Sequence, residues 1–136
     1  AGVSAVKNIL VIMAAASLLF AAGCKKRGTV SFCEGVDEGG KGVNCGTEFS
    51  TGDMNAVFDA PSAFGTDALE LKIYNVNDAS RKPVKIVEVK VDPDARRGSA
   101  DLEMYDEGVF RAEVSAHGGE VVSEGQVEIV DTYVKP

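Results

Sequence analysis

Beyond residue 50 the chain alternates apolar and polar residues with a period of two, and this pattern limits what it can fold into. Successive side chains of a β-strand point to opposite faces of a sheet, so such alternation indicates strands with one buried and one hydrated face. The apolar positions are Met54, Ala56, Phe58; Leu69, Leu71, Ile73; Val87, Val89, Val91; Ala100, Leu102, Met104; Phe110, Ala112, Val114, Ala116; and Val127, Ile129. With a further short strand around residues 47–51, the sequence predicts an all-β antiparallel sandwich of six or seven strands.

Turn-forming residues separate these predicted strands. Asp, Asn, Pro and Gly are the residues that turns favour, because they hydrogen-bond locally or accept unusual backbone angles. The clusters lie at residues 59–62, 77–78, 92–94, 106–108 and 117–119. Pro83 has no N–H to donate, so we expect the next strand to begin there or to lie at a sheet edge.

One predicted strand resembles a known segment. The sequence YDEGVFRAEV, residues 105–114, is similar to the D-x-G-x-Y segment that opens strand F of immunoglobulin-like sandwiches. Asp106 and Gly108 match, Phe110 stands in place of the tyrosine, and Ala112 stands in place of the buried cysteine. The resemblance implies a sandwich of the immunoglobulin or fibronectin type III kind, without the tyrosine's hydrogen bond, and it implies no activity.

The start of the chain has the layout of a bacterial secretory signal. Lys7 precedes an apolar run over residues 9–22 that is broken by one serine. A helix of that length spans about 21 Å, less than the roughly 30 Å of a bilayer core, so a cleaved signal fits better than a membrane span. The segment ending at Cys24 resembles the lipobox of bacterial lipoproteins, with Ala21 where leucine is usual. The resemblance implies acylation of Cys24, and a plain signal peptide is the alternative.

Three basic residues follow Cys24 directly. Lys25, Lys26 and Arg27 would favour anionic headgroups beside an acylated terminus. A lysine after the acylated cysteine resembles outer-membrane lipoproteins more than those retained in the inner membrane. We therefore expect an exported protein that is lipid-anchored to the cell envelope, at the outer membrane.

The two remaining cysteines predict a disulfide. Cys33 and Cys45 would meet in an oxidising compartment and close a loop of about a dozen residues, which stabilises by about 3 kcal/mol. Together with His117 they are too few for a zinc site, and no C-x-x-C exists for thiol exchange. The expected organisation is a signal peptide at 1–23, a lipid-anchored basic linker at 24–32, a disulfide-closed glycine-rich loop at 33–46, and the sandwich at 47–136.

Composition argues against several function classes. From Gly28 onward there are 21 acidic and 10 basic side chains, which disfavours nucleic acid as a partner. The single histidine, His117, falls in a predicted hairpin tip, and no G-x-S-x-G pattern is present. We expect no enzyme activity, metal, cofactor or small-molecule substrate.

Binding loops are the remaining functional feature. If the strands run antiparallel in order, three connections converge at one end of the sandwich, at residues 59–68, 92–99 and 117–120. They would bring together Phe64, Arg96, Arg97 and His117. An exposed aromatic beside two guanidiniums suits an acidic or amphipathic protein partner. In the alternative, the phenylalanine caps the core and the arginines are solvated. Two hypotheses follow: a lipid-anchored module that binds a macromolecule at the cell surface, or a periplasm-facing accessory subunit of an envelope assembly.

Overall fold

The computed structural model describes residues 26–131, which form nine β-strands. The predicted signal peptide at 1–23 and Cys24 lie outside the described residues. Within residues 26–131 there is no helix that could span a bilayer. The strands are β1 (Gly28–Val36), β2 (Gly42–Gly46), β3 (Glu48–Ser50), β4 (Gly52–Asp59), β5 (Ala68–Asn75), β6 (Lys85–Lys90), β7 (Arg97–Met104), β8 (Gly108–Ser115) and β9 (Val121–Val130).

The strand order is that of an immunoglobulin-like sandwich, which confirms the predicted fold class. Neighbouring strands follow the order β6-β5-β8-β9-β1-β4-β7, with β2 paired to β1 and β3 paired to β9. The first four form one antiparallel layer and the last three form the other. In immunoglobulin terms β4 and β7 take the places of strands B and E, while β5, β8 and β9 take those of C, F and G. The segment that resembled strand F therefore occupies that position.

The predicted inward-facing residues form the core. All of them are buried or pack against the buried cluster, because each strand turns one face to the opposite layer. The first residues of this core, however, come from β1, where Val30 and Phe32 are 3% and 1% exposed. Alternation along the strands thus determines which side chains leave water.

Strand β1 corrects the expected domain boundaries. Residues 28–32, assigned to a linker, are the first part of a core strand, and residues 33–46 form a β-hairpin of β1 and β2. Gly28 and Thr29 pair in parallel with β9, after which Val30 to Cys33 pair antiparallel with β4. The alternation here comprises only two apolar residues next to a basic triplet, so the pattern was too short to predict a strand. Pairing with two distant strands stabilises it instead.

The predicted disulfide is confirmed as a cross-strand link in this hairpin. Cys33 and Cys45 are bonded and lie directly opposite each other on β1 and β2. Gly42 passes so close to both sulfur atoms that a Cβ at this position would overlap them. In the turn, the Asp37 carboxylate accepts hydrogen bonds from the N–H groups of Gly39 and Lys41, at 2.9 Å each.

The seam where β1 passes from one layer to the other is closed by close backbone contact. Ser123 is fully buried, and its hydroxyl donates a 2.7 Å hydrogen bond to the carbonyl of Asp59 on β4. Gly125 faces the carbonyl oxygen of Val30 and Gly28 faces that of Asp59, in both cases too closely to admit a Cβ. The seam therefore needs glycine for space rather than for backbone freedom.

Replacing Gly125 with alanine should open this seam. The new methyl group would overlap the Val30 carbonyl, so we expect a loss of about 2 kcal/mol or more in the free energy of unfolding. Gly35→Ala is the matched control, because nothing lies within 4 Å of a Cβ built there, and it should change stability by less than about 0.5 kcal/mol. Urea denaturation measures both. If the two variants were equally stable, the close backbone contact at Gly125 would not be needed to hold the layers together.

Reduction of the disulfide should lower the melting temperature. The bond joins residues 12 apart, and the chain-entropy model gives a stabilisation of about 3 kcal/mol for such a loop. We expect the double variant Cys33→Ala, Cys45→Ala to melt at the temperature of the dithiothreitol-treated protein. A melting temperature that dithiothreitol leaves unchanged would show that the hairpin does not depend on the bond.

Candidate functional site

The three connections predicted to bind a partner lie at one end of the sandwich, here called the loop end. They are the segments between β4 and β5, between β6 and β7, and between β8 and β9. Strand register places them together, since Ala68 lies opposite Lys90 and Glu70 lies opposite Ser115. Val30 lies opposite Phe58, so β1 also begins at this end.

Phe64 packs against the core at the loop end. Its ring centroid lies 5.8 Å from that of Phe58, with the two planes tilted by 57°. Its N–H donates to the carbonyl of Ala95 at 2.9 Å, while Ala60 donates to Arg96 at 2.7 Å, so the first two connections are hydrogen-bonded to each other. The ring is half-buried. Phe64 thus covers the core and leaves only part of its surface for a partner.

The arginines and the histidine of the predicted site adjoin different layers of the sandwich. Arg96 and Arg97 are exposed and adjoin the connection that carries Phe64. The His117 side chain is 93% exposed, and its Nδ1 lies 3.4 Å from the Glu70 carboxylate on β5, in the other layer. The arginines and Phe64 therefore share one surface while His117 is drawn towards β5. A binding role for the four residues stays a prediction.

The loop end adjoins the predicted anchor. Arg27 forms a 2.7 Å ion pair with Glu124 on β9, just before β1 begins at Gly28. Three residues, 25–27, lie between Cys24 and Gly28, and the four steps of extended chain that join the two span at most about 14 Å. A lipid on Cys24 would therefore direct this end, with its arginines, towards the membrane.

Titration behaviour in residues 26–131 gives no support for acid–base catalysis. The Ser80 N–H, 2.9 Å from the Asp78 carboxylate, lowers the pKa of that aspartate. The Asp53 carboxylate, 3.3 Å from the Tyr105 hydroxyl, raises the pKa of that tyrosine. Both shifts lead away from neutral pH, where a general acid or base works best. No cluster of three or more metal-ligating side chains occurs among these residues.

A groove at the opposite end was not predicted. It has a volume of about 690 Å³ and lies between the outer face of β5, β8 and β9 and the connection that follows β5. Arg111 stands over the Tyr74 ring, 5.6 Å from its centroid, and its Nε lies 3.1 Å from Glu113. The polar side chains of the lining are Tyr74, Asn75, Asn77, Asp78, Arg81, Arg111, Glu113 and Gln126. For the strand residues among them, only their outward positions in the alternation could have indicated them, because the groove also needs β8 and β9, which are distant from β5 in sequence.

Comparisons with known proteins add the following. No protein-family model matches the chain, and no curated protein matches it. An immunoglobulin-like protein from Pseudomonas aeruginosa is similar in structure, with 16% identity over 79% of this chain and all of that one, and a TM-score of 0.45. The soluble domain of PmoD from Methylocystis sp. is similar with 14% identity over 76% of this chain and 90% of that one, and a TM-score of 0.46. The fold class follows from the strand order described above.

Substitution of Phe64 tests whether its ring covers the core, and substitution of the two exposed arginines is the comparison. Phe64→Ala should lower the free energy of unfolding by about 1–2 kcal/mol, because the ring is half-buried against Phe58. The double variant Arg96→Gln, Arg97→Gln should stay within about 0.5 kcal/mol, since both side chains are exposed. Thermal unfolding checks both. An unchanged melting temperature for Phe64→Ala would exclude the core-covering role.

Proposed function

We propose that this chain is a non-enzymatic, lipid-anchored protein of the bacterial cell envelope whose immunoglobulin-like domain binds another macromolecule. The observation that carries the proposal is the position of β1 directly after the predicted acylation site. The lipobox-like cysteine, Cys24, precedes by four residues a strand that begins at Gly28 and belongs to the core. The domain is thus joined to its predicted anchor almost without a linker.

The disulfide supports export. Bonds such as Cys33–Cys45 form and persist in oxidising compartments, including the bacterial periplasm and the cell surface, and are rare in the cytosol. Cys33 is completely buried and the bond closes the hairpin of β1, so oxidation supports the strand next to the anchor. The disulfide and the predicted anchor therefore both support a location in the cell envelope.

The short spacer favours the accessory role over binding at a distance from the cell. Because Arg27 is already held by Glu124, only residues 25 and 26 separate an acylated Cys24 from the folded domain. A domain on such a tether would stay within about 14 Å of the bilayer. It would meet partners that are themselves in or next to the membrane, as a subunit of an envelope assembly does. Binding at the outer cell surface is the second candidate, favoured by the exposed arginines of the loop end.

Removal of the predicted acylation site tests the anchor. Cys24→Ser should abolish labelling by radioactive palmitate and move the protein from the membrane fraction to the soluble fraction. The neighbouring Lys25→Ser is the matched control, and we expect it to remain labelled and membrane-bound. Continued labelling of Cys24→Ser would overturn the lipoprotein assignment.

Protease treatment of intact cells then decides between the two envelope faces. Loss of the protein while a periplasmic marker survives would favour binding at the cell surface. Protection until the outer membrane is permeabilised would favour the accessory subunit.

A further inference from the structure

Strand β6 is an edge of the sandwich with free backbone groups. Within residues 26–131 it pairs with β5 alone. The N–H of Val91 donates to the carbonyl of Asp67 in the same ladder, at 2.9 Å. Because successive residues of an antiparallel strand point their backbone groups to alternate sides, those of Ile86, Glu88 and Lys90 point away from β5. A row of this kind accepts a further strand from another protein.

Apolar side chains are exposed around this edge. Val76, Val84 and Ile86 are 49%, 53% and 56% exposed, and they are three of the five large apolar side chains exposed in the described part of the chain. Ile86 lies on the outer face of the sheet, opposite Lys72 of β5. Val84 and Ile86 lie two residues apart and both leave apolar surface beside the free edge, whereas Val76 follows β5 and its N–H donates to the carbonyl of Val109 on β8.

The charge of this edge is opposite to that of the domain. Residues 81–90 carry four cations, Arg81, Lys82, Lys85 and Lys90, against the one carboxylate of Glu88. The chain from Gly28 onward has 21 acidic and 10 basic side chains, so this segment stands out as a basic strip. The ammonium group of Lys85 is engaged by the Glu103 carbonyl at 2.6 Å, whereas Lys90 is exposed. Electrostatic complementarity therefore favours an acidic occupant.

A second copy of the chain fits this edge poorly. Two β6 strands that pair antiparallel through their outward-pointing backbone groups, centred on each other, would place Glu88 of one copy opposite Glu88 of the other. Like charges directly opposite each other destabilise a strand pair, and edge lysines commonly prevent such association. Lys85 and Lys90 are no obstacle to a segment that carries carboxylates.

We propose that β6 receives an extended, acidic segment of a partner protein as an added strand. Apolar side chains of that segment would cover Val84 and Ile86, and its carboxylates would lie beside Lys72 and Lys90. Main-chain hydrogen bonds to Ile86, Glu88 and Lys90 would supply affinity, as in other cases of strand addition. This inference rests on the proposed function as a binding module, and it names the class of partner.

A proline substitution tests the added strand without disturbing the ladder to β5. Glu88→Pro removes an N–H that points to the free edge, and proline is tolerated in edge strands at such positions. Glu88→Gln keeps the N–H and is the matched control. The probe is a fluorescein-labelled peptide of about eight residues with the repeat valine-threonine-glutamate-threonine, which places valine and glutamate on the same face of the added strand. It is titrated with the full-length protein in detergent and followed by fluorescence anisotropy.

We expect the acidic peptide to bind the unaltered protein and Glu88→Gln, more weakly as salt is added, and a lysine analogue of the peptide to remain unbound. Glu88→Pro should weaken binding roughly tenfold, the loss of about one hydrogen bond, while its melting temperature shows that the domain stays folded.

Three results would overturn the inference: no binding of the acidic peptide, equal binding by the proline and glutamine variants, or self-association that Glu88→Pro abolishes. The last would assign the edge to a second copy. Membrane anchoring is scored separately by Cys24→Ser, so failure of the peptide assay with an intact anchor would reject the acidic strand and leave the proposed function standing.

Discussion

The passage of β1 from one layer to the other is the constraint on which the sandwich depends. Its first two paired residues lie along β9 and the next four lie along β4, so one strand joins both sheets through its backbone. The hydrogen bond from buried Ser123 to the Asp59 carbonyl crosses the same seam. Gly28 and Gly125 allow the backbones to approach, because any side chain there would separate the layers. Face-to-face packing alone would leave the layers free to slide, whereas these contacts set their alignment.

The direction of β1 also divides the surface between the two ends. Its start and the loops that carry Phe64, Arg96 and Arg97 share one end. The groove at Tyr74 and Arg111 lies at the other, where the connection before β6 folds over the sheet. A tether of a few residues would turn the first set towards the bilayer and leave the second accessible. The basic edge of β6 runs between the two ends and faces sideways, where a partner protein could reach it.

Much of the core was predictable, because the direction of a strand side chain is a local property. Leu69, Leu71 and Ile73 had to share a face once the segment was extended, and each is buried. The disulfide followed from the small number of cysteines. The role of Phe64 could not be predicted in this way. A lone aromatic residue in a turn-rich segment can either cover a core or contact a partner, and the local sequence is the same in both cases. Only the position of Phe64 beside Phe58 shows that it covers the core.

The sequence by itself determined the strands beyond residue 47, their inward faces, the cysteine pair and the excess of negative charge, since each depends on residue identity and short-range spacing. Tertiary structure alone decided that residues 28–32 form a core strand, that His117 meets Glu70, and that Lys72 lies opposite Ile86 in the basic segment at residues 81–90. Those features require segments far apart in the chain to pair. The free energy of such pairing depends on the side chains of the partner strand, and the local sequence pattern does not indicate which strand that is.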